Sequence, residues 1–140
     1  LADDDEDDRL FFKDAFEEIK IQTNVEFVHD GMQLMGHLMD FDNKLPDILF
    51  LDLNMPKKTG KECLIEIKKA EHLKNIIIAI YSTSSSEDDI EDTFIQGANI
   101  YIKKPSDFNT LKKIINQVVT VNWHYHTSGL NRDNFLLRLK

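Results

Sequence analysis

The chain has 140 residues, 41% of them apolar, which suits one globular domain with a single core and excludes a disordered acidic tail. Its 25 acidic and 17 basic side chains leave a formal net charge of -8. This charge argues against nucleic acid or an anionic membrane as the main partner. The single cysteine excludes an intramolecular disulfide, and there is no membrane-length apolar run and no basic leader, so we expect a cytoplasmic protein.

A run of acidic side chains, residues 3–8, follows Leu1 and Ala2. Asp7 or Asp8 is a candidate N-cap for a helix whose apolar positions recur at helical spacing. These positions are Phe12, Ala15, Phe16 and Ile19. Only two residues precede the acidic run, too few for the strand that a parallel sheet needs there. We therefore expect the first strand to lack its opening residues.

Short apolar runs alternate with amphipathic segments along the rest of the chain. The apolar runs predict strands over 25–28, 48–51, 76–80 and 100–102. Helices are predicted after Asp30, after Gly60, over 87–96 and from Ser106 onward. On the first of these helices, Phe41 is expected on the same inner face as Leu34 and Leu38. Met55, in the loop after the strand 48–51, is a candidate for exposure and partner contact.

Strands alternating with helices indicate a parallel sheet with right-handed crossovers and helices on both faces, an α/β fold. Five such units fit the flavodoxin-like strand order 2-1-3-4-5. We expect residues 1–122 to form this domain and residues 123–140 to be a C-terminal extension with no output domain. The apolar residues within 135–139 are too closely set to remain in water, so they should pack on the domain, on another copy or on a partner.

In this strand order the carboxyl ends of four strands are neighbours, and polar side chains follow each of them. These side chains are Asp3, Asp4, Asp52, Ser82 and Lys104. Three converging carboxylates repel one another, so without a counter-ion at least one pKa should rise. A divalent cation removes the conflict, and oxygen-only ligands suit Mg²⁺. Lys104 adds a positive charge that can bind an anion. Together these residues are suited to phosphoryl transfer, with Asp52 as the candidate nucleophile.

With these residues in place, the chain resembles the receiver domains of two-component response regulators over residues 1–122. The resemblance is carried by Asp-Asp at 3–4, Leu-Asp-Leu-Asn-Met-Pro at 51–56, Ser-Thr at 82–83 and Lys-Lys-Pro at 103–105. The spacings from Asp52 to Ser82 and to Lys104 match the family's usual spacings. Jointly these motifs are highly specific.

The resemblance implies that Asp52 is the phosphoryl acceptor. Asp4 matches the residue that binds Mg²⁺ directly, and Asp3 the neighbour that acts through water. The backbone carbonyl of Asn54 matches the group that completes the metal shell. Lys104 matches the lysine that pairs with the phosphoryl group.

Four further positions are implied to control the switch and the turnover of the phosphoryl group. Ser82 corresponds to the hydroxyl that hydrogen-bonds the phosphoryl group, and Tyr101 to an aromatic that moves inward from a more exposed rotamer when it does so. Asn54 and Ser84 occupy the positions that flank the path of the hydrolytic water. Thr83 is larger than the alanine or glycine often found there, which should restrict access.

The implied partners are a sensor histidine kinase or histidine phosphotransfer protein as donor and a downstream protein as target. The expected output is a surface change in the last helices and strand, with a homodimer that involves the apolar tail, and without nucleic acid or membrane. The protein would catalyse only its own phosphorylation and dephosphorylation.

Two alternatives remain at this point. One is a small phosphatase or phosphotransferase with an aspartyl-phosphate intermediate, although that family normally carries its nucleophile on the first strand in an Asp-x-Asp pair. The other is a degenerate receiver that binds partners without phosphorylation. A metal site at His124 and His126 is disfavoured, because no cysteine or acidic residue accompanies them.

Overall fold

The computed structural model describes residues 1–19, 24–120 and 135–137. The helices in these ranges are α1 (Glu6–Glu18), α2 (Gly31–Met39), α3 (Gly60–Lys69), α4 (Glu87–Ile95) and α5 (Phe108–Thr120), with a 3₁₀ turn at Glu71–Leu73. The strands are β1 (Ile48–Leu51), β2 (Ile77–Ser82), β3 (Ile100–Lys103) and β4 (Leu136–Leu137). No helix in these ranges is long and apolar enough to span a membrane.

The strands form a parallel sheet in the order β1-β2-β3-β4, and Ala2 extends it beyond β1. Ala2 forms parallel bridges to Leu51 on one side and to Val28 on the other. The segments around Val28 and Ala2, followed by β1, β2 and β3, therefore reproduce the predicted flavodoxin-like order 2-1-3-4-5. The first two members of that order are single bridges rather than full strands, and β4 adds an outer strand that was not predicted as one.

β1, β2 and the first three residues of β3 are packed on both faces, as their apolar sequences predict. Side chains alternate between two cores, with Ile78 and Ile80 on one side of β2 and Ala79 and Tyr81 on the other. The first core is completed by α2 and α3, through Leu34, Leu38, Leu64 and Ile67. The second is completed by α1 and α5, through Phe12, Phe16, Leu111, Ile114, Ile115 and Val118. The helical spacings predicted for these side chains are confirmed.

The first helix begins earlier than predicted. Its N-cap is Asp5, whose carboxylate accepts a hydrogen bond of 3.1 Å from the backbone N–H of Asp8. Asp7 and Asp8 therefore lie inside the first turn, where the helix dipole favours negative charge, and the prediction that either of them caps the helix is wrong.

Two apolar side chains differ from expectation in their exposure. Phe41 is 80% exposed, because α2 ends at Met39 and the helical spacing that placed Phe41 inside does not continue past that end. Met55 is only 5% exposed and belongs to the core beside α2 and α3, so it offers no surface to a partner. In both cases the course of the loop determines how exposed the side chain is.

Near its C-terminus the chain returns to the sheet. β4 pairs with β3 through Tyr101 with Leu136 and Ile102 with Leu137. Phe135 is fully buried, with its ring centroid 5.3 Å from that of Phe94. Of the three alternatives for residues 135–139, packing on the domain itself is therefore the one seen for 135–137. His124 and His126 lie outside the described residues.

Candidate functional site

Four loops at the carboxyl edge of the sheet bring the predicted side chains together. Asp3 follows Ala2, Asp52 follows β1, Ser82 ends β2 and Lys104 follows β3. Asp3 and Ser82 are fully buried, and Asp52 is 4% exposed. The backbone N–H of Lys104 donates to the carbonyl oxygen of Ser82 at 2.8 Å, which ties the loops after β2 and β3 to each other.

The ammonium group of Lys104 is shared by three carboxylates. Its Nζ lies 2.8 Å from Oδ2 of Asp3, 2.8 Å from Oδ2 of Asp8 and 3.6 Å from Oδ2 of Asp52. Asp8 is a site residue that sequence reasoning missed. A signal was available, since Asp8 precedes the buried Phe12 by four residues and so shares the inner face of α1.

The ionisation of Asp52 reflects its burial. Removal from water raises the pKa of Asp52 to about 7, with Lys104 acting to lower it and Asp3 to raise it further. The predicted rise is thus confirmed, although burial contributes more than the neighbouring negative charge. Burial lowers the pKa of Lys104, but Asp3, Asp8 and Asp52 together raise it above its ordinary value.

The acidic residues of this edge fit a divalent cation. Asp3, Asp4 and Asp52 each offer a carboxylate oxygen, and these oxygens all lie within 4.8 Å of one another. Oδ2 of Asp3 is buried and forms an ion pair with Lys104 at 2.8 Å, but it accepts no hydrogen bond of good geometry among the described residues. Asp4 is exposed at the mouth of the cluster. A cluster of oxygen donors with unused acceptor capacity is the chemistry that Mg²⁺ or Mn²⁺ prefers.

The loop after β2 links the site to Tyr101. The Oγ of Ser82 accepts a hydrogen bond of 3.1 Å from the N–H of Ser84, and the Tyr101 hydroxyl donates to the carbonyl oxygen of Ser84 at 2.9 Å. The hydroxyl of Ser84 donates to Asp89 at 2.6 Å, and Lys61 pairs with Asp89 at 2.7 Å. Sequence reasoning missed Asp89 and Lys61, because nothing in the local sequence shows that α3 and α4 meet at this loop.

The loop after β1 is held close to Asp52 by a glycine. A Cβ on Gly60 would lie 2.2 Å from the carbonyl oxygen of Asp52, so only glycine fits without a shift of the backbone. The N–H of Gly60 donates to the carbonyl oxygen of Leu53 at 2.9 Å. Asn54 is exposed in this loop, and its N–H points at Oδ1 of Asp52 from 3.5 Å. Gly60 therefore shapes the site and does more than end a loop.

The family model for the response regulator receiver domain matches residues 1–116 of this chain. The chain belongs to the response regulator receiver domain family. It is 30% identical over 121 residues to the probable methanogenesis regulatory protein FilR2 of Methanothrix harundinacea, covering 84% of this chain and 78% of that one. It is also 30% identical over 119 residues to response regulator Rcp1 of Synechocystis, covering 82% of this chain and 81% of Rcp1.

Solved receiver structures share the fold. The phosphorylated cyanobacterial phytochrome response regulator RcpA superposes with a TM-score of 0.77 at 32% identity, covering 94% of both chains. The Mn²⁺-bound form of Rcp1 superposes with a TM-score of 0.77 at 29% identity, covering 84% of this chain and 88% of Rcp1. The receiver resemblance and the flavodoxin-like fold are confirmed, and the protein is a phosphoacceptor response regulator of a two-component system. Proteins of this family are in general signalling proteins and not enzymes.

Proposed function

We propose that Asp52 is the residue that accepts the phosphoryl group, from a phosphohistidine of a sensor kinase or phosphotransfer protein. The observation that carries this assignment is the position of its carboxylate, at the carboxyl end of β1 and facing Lys104 at 3.6 Å. An oxygen of Asp52 attacks phosphorus, the P–N bond of the phosphohistidine breaks, and the imidazole nitrogen leaves with the bonding electrons. Only the ionised carboxylate is nucleophilic, so the lysine also favours the reactive form.

Asp3, Asp4, Asp52 and the backbone carbonyl of Asn54 are the groups that would hold a divalent cation, which we propose is Mg²⁺. Asp4 would bind it directly and Asp3 through water, as in the family pattern. When bound, the cation neutralises the charge of the phosphoryl oxygens and of the clustered carboxylates. The chain itself supplies two further interactions, an ion pair from Lys104 and a hydrogen bond from Ser82 to the phosphoryl group.

We further propose that Ser82 and Tyr101 connect the phosphoryl group to the surface formed by α4, β3 and α5. The Ser82 hydroxyl accepts from the N–H of Ser84, and as a hydroxyl it can also donate its own hydrogen to a phosphoryl oxygen. Rotation of Ser82 toward the phosphoryl group would shift Ser84, whose carbonyl oxygen holds the Tyr101 hydroxyl. The change in surface would then be passed to a downstream protein target.

Incubation with acetyl phosphate and Mg²⁺, followed by intact mass measurement, tests the assignment. The wild-type chain should gain the mass of one phosphoryl group, and chelation of Mg²⁺ should abolish the gain. Asp52→Asn is nearly isosteric and should fold but gain nothing. A wild-type chain that is never phosphorylated would favour the degenerate receiver, and undiminished labelling of Asp52→Asn would move the acceptor to another carboxylate.

A homodimer through the face of α4, β3 and α5 remains part of the proposal. Ile95, the last residue of α4, supports it as a large apolar side chain that is 67% exposed. Phe135 contributes no free surface, since it is buried within its own chain. Sedimentation of the full chain with and without beryllofluoride, a phosphoryl mimic, tests this contact. A chain that stays monomeric in both states contradicts the dimer.

A further inference from the structure

The position of Lys104 in this structure depends in part on Asp8, a carboxylate outside the acceptor and metal set. Its Nζ makes two contacts of 2.8 Å, to Asp3 and Asp8, while its distance to Asp52 is 3.6 Å. The last of these is longer than a charge-assisted hydrogen bond, which spans about 2.7–2.9 Å. The lysine is thus held by two carboxylates, neither of which is the proposed acceptor.

Asp3 and Asp8 differ in how readily they release the lysine. Asp3 is fully buried, and loss of its counter-ion would leave an unpaired charge in the interior. Asp8 lies in the first turn of α1 with 36% of its side chain exposed, so water and the helix dipole stabilise its charge when the lysine leaves. Asp8 is therefore the contact that the lysine loses at the lower cost.

We propose that Asp8 is a positioning residue for phosphoryl transfer, which holds Lys104 short of Asp52 in the unphosphorylated protein and releases it to the phosphoryl group. This inference rests on the proposed function of Asp52. Phosphorylation replaces one negative charge at Asp52 by nearly two, and so shifts the balance of attraction on the ammonium group away from Asp8. The movement required is a rotation of the lysine side chain without a change in the backbone.

The proposal predicts that removing Asp8 speeds phosphorylation. Without its outer partner, Lys104 reaches Asp52 before the phosphoryl group arrives, and the cost of breaking the Lys104–Asp8 ion pair disappears. Asp8→Asn should raise the rate of phosphorylation by acetyl phosphate at saturating Mg²⁺ roughly three- to fivefold, the effect expected of a half-exposed ion pair. Asp8→Glu keeps the negative charge in the same turn and should return the rate to within about twofold of the wild type.

Asp7→Asn is the matched control, because it makes the same change in charge in the same helical turn at an exposed position. Its rate should stay within about twofold of the wild type. Equal rates for Asp7→Asn and Asp8→Asn would overturn the proposal, since the effect would then come from net charge alone. An unchanged rate in Asp8→Asn would overturn it as well.

A crystal structure of metal-free Asp8→Asn gives a readout that does not depend on phosphorylation. We expect Nζ of Lys104 within hydrogen-bond distance of Oδ2 of Asp52, in place of the present 3.6 Å. A lysine that stays on Asp3 at its present distance from Asp52 overturns the proposal. If the wild type is not phosphorylated at all, the proposed function fails, while the lysine position in this crystal structure still decides the role of Asp8.

Discussion

The rings of Phe135 and Tyr101 lie 6.2 Å apart, centroid to centroid, at an interplanar angle of 64°, and both side chains are fully buried. The backbone reinforces this contact, because Leu136 in β4 pairs with Tyr101 in β3. Tyr101 therefore lies inside the protein in this structure. The expectation that Tyr101 moves inward from a more exposed rotamer concerns the change on phosphorylation and stays a prediction, and its hydrogen bond to Ser84 is the link through which such a switch would act.

Removal of the Phe135 ring should cost stability and loosen Tyr101. Phe135→Ala leaves a cavity beside Phe94 and Tyr101, so we expect a loss of about 3–5 kcal/mol in the free energy of unfolding. Urea unfolding measures it. Met32→Ala, at a 54% exposed position on α2, is the control and should change stability by less than about 0.5 kcal/mol. A loss in Phe135→Ala as small as that of the control would show that Phe135 is not buried in solution.

The core of the fold was predictable because each central strand is one apolar run that ends at a polar residue. β1 ends before Asp52, and the alternation within β2 assigns Ile78 and Ala79 to opposite cores. Ala2 was harder to interpret, since two residues make a poor strand signal. Its hydrogen bonds with Phe50 and Asp52, each of 2.9 Å, nonetheless place it within the sheet, between β1 and the segment at Val28.

Long-range pairings were not predictable from local patterns. Helical spacing places Asp8 on the inner face of α1, but its contact with Lys104 depends on how α1 meets the loop after β3, which the local sequence does not show. The same holds for Lys61 and Asp89, which pair across two helices. Phe135 was expected to pack somewhere, but its place beside Tyr101 depends on a strand pairing that two residues of sequence cannot specify.

The raised pKa of Asp52 predicts a specific pH dependence of stability. Burial raises that pKa to about 7, against about 3.9 in an unfolded chain, so the folded protein binds this proton more tightly. The contribution of Asp52 to stability is complete below about pH 4 and is lost as the pH rises to about 7. In EDTA, the free energy of unfolding of Asp52→Asn should therefore increase relative to that of the wild type between pH 4 and pH 8, by on the order of a few kcal/mol.

Urea unfolding of the wild type and of Asp52→Asn across this pH range measures the difference in their free energies of unfolding. Asp47→Asn makes the same change in charge at an exposed position just before β1 and serves as the control for net charge. A gap between Asp52→Asn and the wild type that does not change with pH would mean that Asp52 titrates normally in the folded protein.

Substitutions of Asp3 and Asp4 should both weaken metal binding but should differ in their effect on the free energy of unfolding. Asp4 is exposed, so Asp4→Ala should weaken Mg²⁺ binding while changing the free energy of unfolding by less than about 0.5 kcal/mol. Asp3 is buried against Lys104 at 2.8 Å, so Asp3→Asn should weaken binding and also cost about 3–5 kcal/mol by breaking a buried pair. Calorimetry with Mg²⁺, using Asp7→Asn as the charge control, measures the affinities. Equal affinities of Asp4→Ala and the wild type would exclude Asp4 as a ligand.

Asn54 and Ser84 should control how long the phosphoryl group survives. Asn54 is exposed beside Asp52, and Ser84 is held in place by its 2.6 Å hydrogen bond to Asp89, so both can bound the approach of a water molecule from opposite loops. Attack by that water depends on its position, whereas phosphorylation depends on the carboxylates and Lys104. Replacing either residue by alanine should therefore change the dephosphorylation rate by about tenfold and the phosphorylation rate by less than about twofold.

Both rates can be measured on the same sample, by loading with acetyl phosphate and then following loss of the phosphoryl mass after the donor is removed. Ser85→Ala changes an exposed neighbour in the same loop and should alter neither rate. If Ser84→Ala moved both rates together, the serine would act on the metal and acceptor groups instead of the water, because only those groups serve both reactions. Asp89→Asn weakens the hold on Ser84 without touching Asp52, and it should reproduce the dephosphorylation effect in part.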